Sequence, residues 1–162
     1  MIRTYRYRLL PTRRQHLALA GILESQRQLY NAALEERIDA YRKARVTRTY
    51  VDQTCALTEW RRTDHEARSV PVSLQRATLK RLDGAYRAFF RRLKQGQKPG
   101  FPRYRGRGWF DSFGFQEFSG ISWRNGKLRF KGFPGMLRVH LDRKSTRLNS
   151  SHIQKSRMPS SA

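Results

Sequence analysis

The chain has little that would support secretion, membrane insertion or cysteine chemistry. A single cysteine among 162 residues, Cys55, excludes an internal disulfide framework and a cysteine-based zinc site within this sequence. No apolar run approaches the roughly 20 residues that a transmembrane helix needs, and the N-terminus lacks the apolar segment of a secretory signal. These absences predict a protein of a reducing cytoplasm, with Cys55 as a buried structural thiol rather than a nucleophile.

Carboxylates are also scarce, with 12 acidic residues in the whole chain. Most lie in helical patterns, where charge pairing is their usual role. The one ionisable cluster, Asp64-His65-Glu66, is predicted to be a solvated turn rather than a metal site. A two-metal nuclease needs several converging carboxylates, and no such set is apparent. We therefore expect no catalytic residue, no metal, no cofactor and no small-molecule substrate for this stretch.

Basic residues, in contrast, are abundant: 35 lysines and arginines give a net charge of +23. Nucleic acid is the partner that fits best, because basic side chains displace condensed counterions from phosphates. Only eight of the basic residues are lysine. Arginine offers a planar fork for phosphates and guanine, although GC-rich coding sequence favours it equally well. A membrane surface fits less well, because the charge is spread along the chain.

Hydrophobic periodicity predicts an α+β fold. Residues 2–9 alternate as a strand with Arg6 and Arg8 on its outer face, and Pro11 ends it. Helices are predicted over 13–43, 50–62 and 72–93, with Thr12 as the first N-cap. Gly21 is expected to mark a kink or a junction between two helices. In the second helix Val51, Leu57 and Trp60 are expected to be core.

The C-terminal part of the pattern consists of short strands. Strands are predicted over 113–118, 121–124, 127–130 and 136–141, with Asn125-Gly126 as a two-residue hairpin turn. The simplest arrangement of these elements is a small β-barrel formed by residues 1–11 and 95–141, with a helical domain inserted over 12–94.

The candidate binding residues fall into two basic groups besides Arg6 and Arg8. The first, the helical stripe, shares one face of the third helix without an apparent acid: Arg76, Lys80, Arg87 and Arg91. The second, the basic loop, covers residues 98–108, and its candidates are Lys98, Arg103, Tyr104, Arg105 and Arg107. A solvated helix face is the alternative for the stripe, and Tyr104 could stack on a base or anchor the loop. Gln75 carries an amide that suits adenine edges.

Residues 142–162 differ in character from the rest. They are polar and aperiodic, which is typical of a disordered tail. They can also be back-translated into DNA that resembles a short-read sequencing adapter with a barcode-sized gap at 153–155. We therefore expect the natural chain to depart from this sequence near Leu141. Without residues 142–162 the chain loses five basic residues and one acidic residue, so that its net charge falls from +23 to +19.

Several ordered motifs are similar to those of one known family. They are Tyr5-Arg6-Tyr7-Arg8-Leu9-Leu10-Pro11-Thr12, Leu29-Tyr30-Asn31-Ala32-Ala33-Leu34-Glu35-Glu36-Arg37, Leu79 to Arg92, and Gly100-Phe101-Pro102-Arg103-Tyr104. Over residues 1–141 the chain resembles the N-terminal half of TnpB (OrfB) proteins, which are insertion-sequence proteins related to type V CRISPR nucleases.

The resemblance implies a wedge domain with an inserted recognition domain that binds a guide RNA and a short motif in duplex DNA. Tyr50 and Gln75 fall where that recognition domain approaches the duplex. Cleavage in the family belongs to a C-terminal RuvC-like domain with carboxylates and Mg²⁺, which this sequence does not contain. We thus expect a prokaryotic, nucleoid-associated binder of DNA and RNA without nuclease activity. Two alternatives stay open: a conventional helix-turn-helix DNA-binding transposase domain, and a small basic structural RNA-binding protein.

Overall fold

The computed structural model describes residues 5–117 and 120–140. In chain order its elements are β1 (Arg8–Leu10), α1 (Arg13–Ala44), α2 (Tyr50–Thr63), α3 (His65–Ser69), α4 (Val72–Lys94), β2 (Ile121–Arg124), β3 (Lys127–Phe130) and β4 (Leu137–His140). This arrangement confirms the α+β class and the three long helices. The tail at 142–162, with its adapter-like sequence, lies outside the described residues.

The first helix starts where the sequence predicts and then runs without interruption. Thr12 and Gln15 form a reciprocal capping box, in which each side chain accepts a bond from the other's backbone N–H, at 3.3 and 3.1 Å. The predicted junction between two helices at Gly21 is wrong, because α1 runs through it as one helix of 32 residues. One glycine costs a helix only about 1 kcal/mol, and the packing of the flanking turns on α4 outweighs that cost.

The strands form one antiparallel sheet in the order β1-β4-β3-β2. Leu9 lies opposite Val139, so the first strand pairs with the last strand in the sheet. The Asn125-Gly126 turn is confirmed, because both residues have positive φ (46° and 70°) between the paired residues Arg124 and Lys127.

The expected barrel is not found, since the described strands form an open four-stranded sheet. Residues 5–7 of the predicted first strand are not in a strand, residues 2–4 lie outside the described residues, and Leu9 is exposed. No strand forms over 113–117, and Phe118 lies outside the described residues. An aromatic cluster replaces the predicted strand, since the Phe113 and Phe115 rings pack on Phe130 at 6.3 and 5.5 Å.

Two hydrophobic clusters make up the core. One lies between α1, α2 and α4 and includes Tyr30, Leu34, Leu57 and Leu82. The other joins α1 and α4 to the sheet and comprises Ile22, Leu74, Phe130, Phe133 and Leu137. The division into an inserted helical domain and a sheet domain stays a prediction, since this second cluster draws on both.

Three core predictions for α2 need correction. Leu57 is buried, but Val51 and Trp60 are largely exposed. Cys55 is exposed rather than buried. The helix buries a narrower face than its apolar residues suggest, because Gln53 occupies the interior position beside Leu57. No described helix has the length and apolarity needed to cross a membrane.

Gly132 sets the distance between the sheet and the helices. Its φ is +78°, and a Cβ there would lie 2.3 Å from the Ser69 carbonyl oxygen. We expect Gly132→Ala to destabilise the chain in urea unfolding by about 2–4 kcal/mol, through left-handed strain and a backbone clash. Gly135→Ala is the matched control, because its φ is +72° but its nearest neighbour would lie at 3.8 Å. Equal losses in the two variants would show that the clash is relieved at no cost.

Candidate nucleic-acid interface

The α4 helix displays most of the helical stripe to solvent. Leu74, Thr78 and Leu82 face the core, while Lys80, Arg87 and Arg91 are exposed and Arg76 is half-buried. One expectation about this stripe is wrong, because an acid does share it. Asp83 pairs with Arg87 at 2.6 Å, four residues along the helix. The helix therefore offers Lys80 and Arg91 as exposed cations without a carboxylate partner among the described residues.

The basic loop is held to α1 at its centre. The backbone N–H of Arg105 donates to Asn31 Oδ1 at 2.8 Å, and its carbonyl accepts from Asn31 Nδ2 at 2.9 Å. Arg27 Nη1 donates to the same carbonyl at 2.9 Å. Because both backbone groups of Arg105 are bonded, the loop has a defined path and its charged side chains project from a fixed support.

Arg27 is itself fixed by Glu24. Two guanidinium nitrogens donate to the carboxylate at 2.9 and 2.6 Å. This bonding, helped by Gln28 and by the charge of Arg107, lowers the pKa of the Glu24 carboxyl from 4.5 to about 2.

The pKa of Glu24 provides a test of this support. We expect NMR titration of its carboxyl to give a pKa near 2, and Arg27→Ala to return it toward 4.5. The folded pKa is depressed, so the contribution to stability is complete above pH 4.5 and is lost as the pH falls toward 2. Arg107→Ala is the control, because Arg107 acts only through charge. A larger rise in that variant would contradict the assigned cause.

The chain that follows the basic loop is held by α4. Arg81 Nη1 donates to the Ser112 carbonyl at 2.9 Å, and Nη2 donates to its hydroxyl at 3.0 Å. The same guanidinium lies 4.9 Å from the centre of the Phe110 ring. Phe110 is buried and packs on Tyr30, with ring centres 6.0 Å apart. Segment 105–112 is therefore attached at both ends.

An aromatic residue holds the start of the loop. Phe101 packs edge-on against Tyr86 and Phe89, with ring centres 5.7 and 5.4 Å apart. Tyr104 has 54% of its surface exposed. Phe101 thus anchors this part of the loop, and the Tyr104 ring is presented to solvent.

Gln75 is not at the surface, contrary to expectation. It is 2% exposed, its Nε2 donates to the Ala67 carbonyl at 3.1 Å, and its Oε1 accepts from Arg61. Arg61 also donates to the Val70 carbonyl at 2.8 Å. Burial and the nearby charges of Arg76 and Arg68 lower the pKa of Arg61. The amide of Gln75 therefore holds the connection from α2 to α4 and does not face a base.

The remaining candidates lie in different parts of the fold. Tyr50 begins α2, and its hydroxyl donates to Gln116 Oε1 at 2.9 Å. Arg8 lies in β1 opposite His140, and both Arg6 and Arg8 are exposed. Lys98, Arg103, Arg105 and Arg107 of the basic loop are exposed as well. The sequence pattern missed Arg27, Asn31 and Arg81, whose role appears only when α1 and α4 are placed beside the loop.

The Asp64 carboxylate of the predicted ionisable cluster has a structural role. Asp64 caps α3 by accepting from the Ala67 N–H at 3.1 Å, and it accepts from Trp60 Nε1 at 3.0 Å. The cap bond lowers the pKa of Asp64. Within residues 5–117 and 120–140, no three acidic, histidine or cysteine side chains are grouped as metal ligands.

Comparison with known proteins now identifies the family. Residues 1–45 match the OrfB-type helix-turn-helix domain. An alignment of 131 residues, which covers 78% of this chain, shows 34% identity to a Streptomyces pristinaespiralis protein named "Putative RNA-guided DNA endonuclease". The chain is a TnpB (OrfB)-type N-terminal region. It spans about a third of that relative, 31% of its length. In the structure the region matched to the OrfB-type helix-turn-helix domain contains β1 and one uninterrupted helix, α1.

Proposed function

We propose that this chain binds nucleic acid as the N-terminal part of a TnpB-type RNA-guided nuclease. Its partners are a guide RNA and a target DNA duplex, which it meets in the prokaryotic cytoplasm at the nucleoid. Residues 1–11 and 95–141, which include the sheet, act as the wedge domain. Residues 12–94 act as the recognition domain. The relative's name and the helix-turn-helix match support this proposal.

One observation carries the proposal. Residues 84–110 contain eight basic residues and no acidic one, and they form the exposed end of α4 and the anchored basic loop. Among the described residues, none of Lys80, Arg91, Lys98 and Arg103 has a carboxylate within ion-pair distance, whereas Arg87 does. Cations that lack protein partners on a fixed support are suited to phosphates, because no existing ion pair has to be broken.

The proposed contacts are predicted binding residues, all exposed except the half-buried Tyr50 and Arg76. They are Arg6, Arg8, Tyr50, Arg76, Lys80, Arg91, Lys98, Arg103, Tyr104, Arg105 and Arg107. Gln75 is left out because its amide is buried and bonded, and Arg87 because it is paired with Asp83.

The direct test measures binding of the full chain to RNA from the end of its genetic element and to duplex DNA over a range of salt. We expect affinity to fall linearly with salt on a log–log plot, and no cleavage with Mg²⁺. Salt-insensitive binding would contradict phosphate contact, and Mg²⁺-dependent cutting would overturn the assignment as a binding region only.

A conventional DNA-binding role is the second candidate, and the match of residues 1–45 to a helix-turn-helix domain favours it. The two functions separate in one comparison. Sequence-specific duplex binding that needs no RNA would favour the conventional role, whereas RNA-dependent duplex binding would favour the guided one.

A further inference from the structure

The turn at residues 106–109 presents an indole to solvent. Trp109 is 78% exposed, more than any other described large hydrophobic residue. The backbone N–H of Trp109 donates to the Gly106 carbonyl at 3.2 Å, and Gly108 has a φ of +79°. A positive φ at this position is typical of the third residue of a type II turn, which favours glycine.

The turn lies between two fixed points. Arg105 is bonded through both backbone groups to Asn31, and Phe110 is buried under the Arg81 guanidinium. A Cβ on Gly106 would lie 3.4 Å from Trp109 Cδ1, so the indole rests against a residue without a side chain. Trp109 is therefore held outward by a short attached segment rather than by a free loop.

The charge around this indole indicates its partner. Arg105 and Arg107 lie within four residues, and the nearest acid in the sequence, Asp111, accepts from the Ser112 hydroxyl. No ring of the described residues stacks on Trp109, whereas Trp123 packs on Tyr7 at 6.1 Å. A planar aromatic near two arginines matches a ligand that carries both flat rings and negative charge. Unpaired bases of single-stranded nucleic acid have both, whereas a protein surface that fits would need acidic and apolar groups together.

We propose that Trp109 is a stacking platform for an unpaired base, with Arg105 and Arg107 at the adjacent phosphates. The site prefers single-stranded over duplex nucleic acid, because the base faces of a duplex are already stacked. This inference rests on the proposed nucleic-acid binding and specifies the strand state and the contact.

The test compares Trp109→Phe, Trp109→Leu and Trp109→Ala in the full chain. The probes are a mixed-sequence single-stranded RNA, a duplex of equal length, and a strand with abasic positions that keeps its phosphates. We expect the Leu and Ala variants to bind the RNA about fivefold to a hundredfold more weakly, with Phe close to the natural chain. The salt slope should not change, because no phosphate contact is removed. Binding to the duplex and the abasic strand should be the same in all variants.

Trp60→Leu is the matched control, because Trp60 is also exposed but donates to the Asp64 carboxylate. It should leave RNA binding unchanged. Equal binding by the natural chain and Trp109→Ala would overturn the stacking proposal and leave the proposed function in place. Weakening in Ala but not in Leu would point to a general apolar contact with the RNA instead of stacking and would also overturn the proposal. Failure of the natural chain to bind any probe would instead refute the proposed function.

Discussion

Replacing Arg37 with alanine is expected to lower the free energy of unfolding by about 3–5 kcal/mol. The Arg37 side chain is buried between α1, α2 and α4. Its Nε donates to Gln53 Oε1 at 2.8 Å, and both terminal nitrogens lie 3.4 Å from Asp83 Oδ1. The guanidinium also lies 5.0 Å from the centre of the Tyr86 ring.

The size of this effect comes from what alanine would leave behind. Gln53 Oε1 would lose its donor inside the core, while Gln53 Nε2 stays bonded to the Ala33 carbonyl at 2.8 Å. Asp83 would retain only its pair with the exposed Arg87. Removing one partner of a buried ion pair costs several kcal/mol, because the other charge stays desolvated. The loss of packing on Tyr86 adds to this cost.

Urea denaturation with a constant m-value would measure the effect. Arg48→Ala is the control, since Arg48 pairs with Glu36 at 3.5 Å where both side chains are well exposed. A surface pair of this kind contributes about 0–1 kcal/mol. If the two variants lose similar stability, the network around Arg37 does not hold the three helices together.

The sequence predicted those parts of the fold that depend on local rules. Thr12 caps α1, Pro11 follows the end of β1, and Asn125-Gly126 turns the hairpin, as their side chains and backbone preferences require. The three long helices follow from apolar spacing. These features need only neighbours within about four residues, so a single chain contains all the information that determines them.

The parts that were missed depend on contacts between distant segments. Gly21 stays helical because both sides of α1 pack on other elements. Trp60 reaches Asp64 and remains exposed, while the polar Gln53 takes the buried position because Arg37 supplies its partner. A hydrophobic pattern cannot predict that a polar side chain is interior when its partner lies 16 residues away.

The candidate site divides in the same way. Composition indicated where the basic residues are dense, since charge density is a property of the sequence, and the structure shows that the basic loop and most of the helical stripe are exposed. Composition could not show that Asp83 pairs with Arg87, or that Gln75 is buried and hydrogen-bonded to Arg61 and Ala67. Asn31 and Arg27 lie four residues apart on one helix face, which is a weak signal until the loop is known to cross that face.

Removing four unpaired cations should have the largest effect on nucleic-acid binding. We expect the combined substitution of Lys80, Arg91, Lys98 and Arg103 by glutamine to reduce the salt slope by roughly 3 to 4, at about 0.7–0.9 per phosphate contact. The counterion contribution to affinity vanishes at about 1 M salt. Followed from there down to physiological salt, the smaller slope corresponds to an affinity that is lower by roughly two to three orders of magnitude.

The charge-matched control substitutes four cations that are already in ion pairs: Lys43, Arg48, Arg62 and Arg87. Both variants lower the net charge equally, so a general effect of charge would act on both. Because the paired cations neutralise carboxylates rather than phosphates, the control should keep most of the slope. Equal reductions in the two variants would show that net charge, and not the end of α4 with the basic loop, governs binding.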